Sequence, residues 1–218
     1  MSAKAKFAVV LSGCGVYDGS EIHEAVLTLL AIDRAGGAYQ CFAPDVPQMH
    51  VINHVVGTPG AESRNVLVES ARIARGAILP LADYKPADFD ILAFPGGFGA
   101  AKNLCTFAVD GPDCTVNPDA EKAIRSTHAA KKPIVALCIA PALVAKVLGK
   151  IDVTIGNDAG TAKAIAAMGG NPLERTYGEV CVDNANKIVT SPCYMLNSTI
   201  GQIADGAAAA VAAALKLL

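Results

Sequence analysis

The feature that most constrains the fold is an apolar run near the start of the chain, which a turn and then a helix follow at once. Residues 7–11 are continuously apolar, and residues 12–15 favour a turn. A strand that is apolar on both faces is typical of a buried parallel sheet. Apolar residues then recur at helical spacing over residues 22–35, and a second strand-like run follows at 39–43. This β-α-β opening predicts an α/β fold with a doubly wound parallel sheet, in which ligands bind at the carboxyl ends of the strands.

The alternation of strand and helix continues along the rest of the chain. Apolar runs predict further strands at residues 89–94, 133–137, 151–155 and 187–190. Helical patterns predict further helices at residues 62–75, 119–131, 140–148 and 199–215. Only the segment at about 44–80 breaks the alternation. We therefore expect one domain over residues 1–218, with an inserted subregion at about 44–80.

Composition excludes several classes of protein. No apolar stretch approaches the roughly eighteen residues of a membrane span. The net charge is −2 without a basic block, which argues against a nucleic-acid partner. The first apolar run, about six residues long, is too short for the core of a signal peptide. We expect a soluble protein without a membrane partner, located in the cytoplasm, or in the mitochondrial matrix if a presequence has been removed from a eukaryotic form.

The chain has seven cysteines, an odd number, and none of them shows CxxC spacing. In an intracellular protein this pattern favours free thiols over a disulfide framework, and most such thiols are packing residues. Cys41, Cys181 and Cys193 are interpreted in this way. Cys105 and Cys114 could approach each other within their loop, but a reducing compartment disfavours a stable disulfide between them.

Cys138 is the cysteine whose position differs from the others. It follows the apolar strand at 133–137 and precedes a predicted helix, with Pro141 suited to the first turn of that helix. The N–H groups at a helix N-terminus lower the pKa of a nearby thiol, and the Ile139 N–H could stabilise an oxyanion. We therefore predict a thiolate nucleophile at Cys138. A buried, inert cysteine is the alternative interpretation of this position.

Two further segments should reach the same edge of the sheet. Gly97 lies in the turn that follows the predicted strand at 89–94. A glycine there lets its backbone N–H approach a bound oxyanion closely. Glu24 lies in the first turns of the first helix, which begins at that edge. A partly buried glutamate beside a thiol can hydrogen-bond the sulfur and transfer protons. An ordinary surface glutamate is the alternative.

Other residues are assigned to the pocket only because the predicted topology brings them to the same edge. Ser12, Cys14, Tyr17 and Asn103 are the candidates for lining it, and plain packing is the alternative for Cys14. His50 and His54 could share a metal ion only if that stretch were helical, and no third ligand is identifiable. We therefore expect no metal site.

Long motifs in the chain resemble a known superfamily. The helix that carries Glu24, the segment FPGGFGAAKN at 94–103 and the segment ALCIAP at 136–141 resemble the ThiJ/PfpI superfamily, which shares the fold of class I glutamine amidotransferases. Three further segments look like the ElbB branch, whose members are described as isoprenoid-biosynthesis proteins with an amidotransferase-like domain and as glyoxalases. These segments are LSGCGVYDGSEIHE at 11–24, FAPDVPQMH at 42–50 and ESRNVLVESARIARG at 62–76.

The resemblance implies a flavodoxin-like sandwich with helices on both faces of a mostly parallel sheet. It also implies a homodimer in many members, and no cofactor. Carried over by position, the family nucleophile falls on Cys138 and its partner carboxylate on Glu24. The oxyanion donors fall on the N–H groups of Gly97 and Ile139.

The histidines narrow the function. All four of them, at positions 23, 50, 54 and 128, precede Cys138, so a Cys…His…Glu triad in amidotransferase chain order is excluded. An amide substrate needs a base to protonate its leaving amine, whereas an aldehyde has no such group. We therefore expect a cofactor-independent glyoxalase, a lyase that acts on glyoxal or methylglyoxal. Two alternatives are a redox or stress-response protein with an oxidisable Cys138, and a non-catalytic amidotransferase-like partner subunit.

Overall fold

The computed structural model describes residues 4–218, so the first three residues of the predicted domain lie outside it. Its strands are β1 (Lys6–Val10), β2 (Ala38–Ala43), β3 (Ile52–Asn53), β4 (Thr58–Pro59), β5 (Ile78–Pro80), β6 (Ile91–Phe94), β7 (Ile134–Leu137), β8 (Asp152–Val153), β9 (Asn171–Pro172), β10 (Cys181–Asp183) and β11 (Ile188–Ser191). Its α-helices are α1 (Ile22–Arg34), α2 (Val66–Ile73), α3 (Phe98–Lys102), α4 (Phe107–Asp110), α5 (Pro118–Ala129), α6 (Ala140–Leu148), α7 (Ala159–Ala167) and α8 (Ile200–Leu215).

The main sheet has seven strands in the order β10-β11-β7-β6-β1-β2-β5. All neighbouring strands are parallel except β10 and β11, which are antiparallel. The predicted flavodoxin-like α/β fold is therefore confirmed. Because β1, β6, β7 and β11 are parallel neighbours, their carboxyl ends meet at one edge of the sheet.

Helices cover both faces of the sheet because its strands are apolar on both faces. In β1, Phe7 and Val9 belong to the core beneath α1 and α8, whereas Ala8 and Val10 belong to the core beneath α5 and α6. This alternation follows from the two-residue period of a strand. The uninterrupted apolar runs in the sequence are thus the sign of two separate cores.

The segment at about 44–80 consists of two parts. It begins with the short β3–β4 hairpin, which forms a sheet of its own. It ends with α2 and β5, and β5 joins the edge of the main sheet beside β2. The helix predicted from residue 62 begins only at Val66, because the Asn65 side chain caps it by accepting the Val68 N–H at 3.0 Å. The division of the chain into one domain with an insertion stays a prediction.

The last third departs most from the sequence predictions. The strand expected at 151–155 is reduced to β8, which pairs with β9 in a small separate sheet. The sequence patterns missed α7 and β10, since both are short and α7 consists mainly of alanine and glycine. The C-terminal helix is confirmed as α8, and a capping box between Thr199 and Gln202 marks its start. Within residues 4–218, no helix is long and apolar enough to span a membrane.

Candidate active site

Cys138 occupies a sharp turn between β7 and α6. Its φ is 59°, in the left-handed region that a non-glycine residue adopts only at a cost of about 1–3 kcal/mol. The Cys138 N–H donates to the Ser191 carbonyl oxygen at 2.9 Å, which continues the pairing of β7 with β11 by one residue. The neighbouring strand therefore holds the strained turn in place. This is the geometry of a nucleophile elbow, formed without the flanking glycines of the known serine motif.

Glu24 is fully buried in the first turn of α1. Its Oε2 accepts the Gly96 N–H at 3.0 Å, and its Oε1 accepts the Tyr194 N–H at 3.1 Å. Burial raises the pKa of this carboxyl from 4.5 to about 7, although these hydrogen bonds oppose the rise. The alternative of a surface glutamate is therefore wrong.

Cys138 and Glu24 are in direct contact, and the thiol hydrogen-bonds the carboxylate. Burial raises the pKa of Cys138 well above 9.0, and the negative charge of Glu24 adds to the rise. A hydrogen bond from the Gly97 N–H acts in the opposite direction but is the weaker effect. The sequence predicted a lowered thiol pKa from the helix N-terminus. That expectation is wrong: burial removes water from around the sulfur, and this raises the pKa of the thiol by more than the nearby N–H groups lower it.

Gly96 and Gly97 have no room for a side chain. A methyl group at Gly96 would lie 2.5 Å from Glu24 Oε2 and 3.0 Å from Cys138 Sγ. Gly97 has a φ of 94°, and a methyl group there would meet the Gly19 carbonyl oxygen at 2.5 Å. The close approach of the strand after β6 to the Cys138–Glu24 pair thus depends on two consecutive glycines.

The two predicted oxyanion donors lie beside Cys138, and their role in binding an oxyanion stays a prediction. Gly97 and Ile139 both line the cleft into which Cys138 opens. The Gly97 N–H points at Cys138 Sγ, and within residues 4–218 the Ile139 N–H makes no backbone hydrogen bond. Both donors come from turns that follow parallel strands, so the sheet itself sets their spacing.

The cleft in front of Cys138 has a volume of about 490 Å³. Its wall is mainly apolar, with Glu21 and Asp158 as its carboxylates and Tyr194 as its phenol group. The remaining lining residues are Val16, Gly97, Phe98, Ala101, Phe107, Ala108, Cys138, Ile139, Thr161 and Met195. Hydrogen bonds from the Thr161 backbone and side chain lower the pKa of Asp158, which keeps it ionised at neutral pH. No lysine, arginine or histidine occurs among these lining residues.

The sequence analysis missed Tyr194 and its partner His23. The Tyr194 hydroxyl lies 2.9 Å from His23 Nδ1, and its ring lines the cleft. Burial raises the pKa of Tyr194, so its hydroxyl stays protonated at neutral pH. The residue lies three positions after the end of β11, at the same edge as Cys138. Because residues that follow parallel strands meet at one edge of the sheet, the sequence predicts the position of Tyr194 in the same way as that of Gly97.

The four residues predicted to line the pocket lie outside the cleft wall. Asn103 is buried and joins three loops: its Nδ2 donates to Ser12 O at 2.8 Å and to Asp18 O at 2.9 Å, and its Oδ1 accepts the Met49 N–H at 3.0 Å. The buried Ser12 hydroxyl lies 3.2 Å from that of Ser20. The Tyr17 ring stacks on His54 at 4.9 Å, on the outer side of the loop. Cys14 is half-buried beside Glu69 and Arg72. These groups support the loops behind the cleft.

His50 and His54 do not share a helix, since they lie in and beside the β3–β4 hairpin. His54 uses both ring nitrogens locally: Nδ1 lies 3.0 Å from Ile52 O, and Nε2 accepts the Tyr17 N–H at 3.2 Å. Over residues 4–218, no group of three potential metal ligands comes together.

A buried thiol at a strained strand-to-helix turn, in contact with a carboxyl group from the first helix, indicates an amidotransferase-like α/β protein. The chain is 52% identical to human glutamine amidotransferase-like class 1 domain-containing protein 3, mitochondrial, over 98% of this chain and 83% of that protein. It is 38% identical to the ES1 protein, mitochondrial, of Danio rerio, over 86% of this chain and 76% of that protein. The chain therefore belongs to the family of glutamine amidotransferase-like class 1 domain proteins, which includes the ES1 proteins. No family model matches it.

Solved structures agree with this assignment. An isoprenoid biosynthesis protein with an amidotransferase-like domain from Ehrlichia chaffeensis superposes with a TM-score of 0.92 at 37% identity, covering 98% of this chain and 99% of that one. Glyoxalase III from Candida albicans superposes with a TM-score of 0.61 at 16% identity, covering 96% and 97%. The second likeness shows a shared fold only.

Proposed function

We propose that the protein is a cofactor-independent glyoxalase that converts glyoxal or methylglyoxal into glycolate or lactate. The observation that carries this proposal is the buried hydrogen bond between Cys138 and Glu24 at the back of an open cleft. A carboxylate that accepts a thiol proton can ionise the thiol at the moment of attack, which offsets the raised pKa of the sulfur. Cys138 and Glu24 are the proposed catalytic residues.

The first step forms a bond between Cys138 Sγ and one aldehyde carbon. The thiol proton passes to Glu24, and the carbonyl oxygen takes the negative charge. The N–H groups of Gly97 and Ile139 are the proposed oxyanion donors. Glu24 then returns the proton to this oxygen, which gives a hemithioacetal and restores the carboxylate.

The second step moves a proton between neighbouring carbons. Glu24 removes the hydrogen from the sulfur-bound carbon and delivers it to the adjacent carbon through an enediol, which leaves a thioester. Water then attacks the thioester, the hydroxy acid departs, and Cys138 regains its proton. Oxidation of one carbon balances reduction of the other, so the reaction needs no cofactor.

The charge of the cleft favours an uncharged substrate. Glu21 and Asp158 line the cleft and no lysine or arginine does, which disfavours a substrate carboxylate and favours departure of an anionic product. The absence of histidine from this lining also disfavours an amide substrate. His23 lies beside the cleft wall, with its Nδ1 2.9 Å from the Tyr194 hydroxyl and 3.9 Å from Glu21 Oε1. We assign the Tyr194 hydroxyl as a proton donor to the far carbonyl oxygen.

Of the two alternative functions, oxidation of Cys138 has less support, because the raised pKa of its thiol opposes formation of the reactive thiolate. A non-catalytic partner subunit predicts no turnover at all. The human and zebrafish relatives are mitochondrial by name, which supports the mitochondrial option of the predicted location. A homodimer stays a prediction.

The test is an assay of glyoxal and methylglyoxal consumption by the wild type and by Cys138→Ala. Cys41→Ala is the matched control, since Cys41 is a buried thiol in β2 on the interior of the sheet. We expect stoichiometric glycolate or lactate from the wild type and the control, and background rates from Cys138→Ala. Wild-type turnover by Cys138→Ala would overturn the mechanism, and a wild type without turnover would favour the partner-subunit role.

A further inference from the structure

Two further cysteines lie beside the cleft, in the segment between α3 and α5. Cys105 and Cys114 are 3% and 2% exposed, and their thiols lie close enough to shift each other's pKa. Cys105 Sγ also lies 3.4 Å from the Ala100 carbonyl oxygen. The proposed glyoxalase reaction uses neither thiol.

The backbone already holds the two ends of this loop together. Cys105 forms an antiparallel bridge with Val116. Next to it, the Thr106 N–H donates to Thr115 O at 2.9 Å, and the Asn117 N–H donates to Leu104 O at 2.9 Å. Closing a covalent link between two sulfurs across such a loop costs little chain entropy, because the loop is closed in the reduced protein as well.

Cys114 is the most acidic of the seven thiols. The hydrogen bond from Cys105 lowers the pKa of Cys114 to about 7, and the nearby Lys146 ammonium group contributes to the fall. Lys146 is fixed in position because its Nζ donates to the Pro112 carbonyl oxygen at 2.7 Å. The other six thiols have raised pKa values, mainly because of burial, except that for Cys105 the hydrogen bond with Cys114 is the larger cause. At neutral pH, Cys114 therefore carries more thiolate than a thiol with the ordinary pKa of 9.0.

We propose that Cys105 and Cys114 form a redox-active dithiol that hydrogen peroxide converts to a disulfide, ahead of any oxidation at Cys138. This inference does not rest on the proposed glyoxalase activity. The segment between the two cysteines contributes Phe107 and Ala108 to the wall of the cleft. The disulfide would therefore cross-link one wall of the site while leaving Cys138 reduced.

The reaction balances with peroxide as the only co-reactant. The Cys114 thiolate attacks the O–O bond, which breaks to give a sulfenic acid on Cys114 and hydroxide, and the hydroxide takes up the thiol proton as water. The Cys105 sulfur then attacks the Cys114 sulfur, and the sulfenic oxygen leaves as a second water molecule. Two electrons pass from the two sulfurs to peroxide, and a low-molecular-weight thiol reverses the change.

A tryptic digest reads out this pair separately from the other thiols. No lysine or arginine lies between Lys102 and Lys122, so the peptide 103–122 carries both Cys105 and Cys114. Cys138 falls in the peptide 132–146, because trypsin does not cleave before Pro133. The full-length protein is exposed to a small molar excess of hydrogen peroxide at neutral pH, alkylated with iodoacetamide and digested.

We expect the peptide 103–122 to become lighter by two hydrogen atoms and to resist alkylation, with recovery after dithiothreitol. Cys105→Ser should leave Cys114 as a sulfenic acid that dimedone traps, whereas Cys114→Ser should leave Cys105 open to alkylation. Cys138→Ser should form the same disulfide at the wild-type rate. Urea-unfolded protein, in which the loop is no longer held closed, should form it at least tenfold more slowly.

Two outcomes would overturn the proposal. In one, the peptide 103–122 stays fully alkylated while the peptide 132–146 gains oxygen. In the other, the first disulfide links the peptide 132–146 to the peptide 188–216, which would identify Cys193 as the partner of Cys138 instead.

Discussion

The Cys138 thiol donates a hydrogen bond to the Glu24 carboxylate, and both groups are enclosed by protein. Burial raises both pKa values, because neither charge is well solvated. The pair therefore titrates as a unit, and the form with one shared proton contains both the nucleophile and its base.

The pH dependence of turnover should follow this shared titration. Loss of the first proton, at about pH 7, produces the reactive form of the pair. We expect kcat/KM for glyoxal to rise about tenfold per pH unit below this value and to level off above it. A profile measured from pH 5.5 to pH 8.5 checks the expectation, and a rate that falls with pH over this range would contradict it.

Replacing Glu24 with glutamine should nearly abolish turnover without removing the thiol. Glutamine keeps the shape of the side chain but cannot accept the proton, so we expect kcat/KM to fall roughly 100-fold or more. Alkylation of the unfolded variant should still modify all seven cysteines, as measured by intact mass. Glu174→Gln is the control, since that glutamate is exposed and its side chain makes no hydrogen bond. Equal loss of activity in both variants would contradict a specific role for Glu24.

The same residue should make the stability of the protein depend on pH. The folded state binds the Glu24 proton more tightly than the unfolded chain does, because its pKa is raised from 4.5 to about 7. Its stabilising contribution is full below about pH 4.5 and is lost as the pH rises through 7, a fall of about 3 kcal/mol in the free energy of unfolding. Denaturant titrations at several pH values measure this slope. We expect Glu24→Gln to flatten it, and an unchanged slope would show that the carboxyl titrates normally.

The sequence was sufficient to bring Cys138, Glu24 and Gly97 to one edge of the sheet, because all three positions follow from one topological rule, while their catalytic roles stay a prediction. In a parallel sheet, the residues after each strand meet at one edge, and the first helix starts at that edge. The direction of the Cys138 pKa shift was not predictable. It depends on how completely α1 encloses Glu24 and the sulfur, and a periodic pattern carries no information about the depth of burial.

The pocket-lining predictions failed for a related reason. Ser12 and Asn103 do reach the predicted edge, but their side chains turn toward other loops and form hydrogen bonds there. The position of a residue after a strand predicts which edge of the sheet it reaches. It does not predict where its side chain points within an irregular loop. Tyr194 follows β11 and obeys the same rule as Gly97, but the apolar run at 187–190 indicates only a packed strand and carries no sign of a polar group after it.

Tyr194→Phe tests whether the hydroxyl group replaces the absent histidine. The change keeps the ring in the cleft wall and removes only the group that lies 2.9 Å from His23 Nδ1. We expect kcat to fall roughly tenfold, or about 1.4 kcal/mol in barrier height, with little change in KM. Tyr177→Phe, at an exposed position, is the control. An unchanged kcat would remove Tyr194 from the mechanism, and a change confined to KM would restrict it to substrate binding.

Gly96→Ala should separate the two halves of the site. The added methyl group would lie 2.5 Å from Glu24 Oε2 and 3.0 Å from Cys138 Sγ, so one of the two side chains must move. We expect loss of turnover and a destabilisation of about 1–3 kcal/mol from overpacking. In the control, Gly201→Ala, the new methyl group in α8 has only an ordinary contact at 3.8 Å, and helix propensity favours alanine. A Gly96→Ala variant with wild-type turnover would show that the Cys138–Glu24 contact is not needed for the reaction.

Asn103→Ala should weaken the loops behind the cleft rather than the chemistry. The change leaves the carbonyl oxygens of Ser12 and Asp18 and the Met49 N–H without their partner, in a position where the side chain is only 8% exposed. Each buried polar group that loses its hydrogen bond costs about 1–3 kcal/mol, so we expect a loss of about 3 kcal/mol in the free energy of unfolding.

The control is Asn197→Ala, at an exposed position, which should change the free energy of unfolding by less than about 0.5 kcal/mol. At a temperature where Asn103→Ala stays folded, its kcat should remain within about twofold of the wild type, because no atom of Asn103 lines the cleft. A variant with full stability and lost turnover would instead indicate that Asn103 contributes to the pocket.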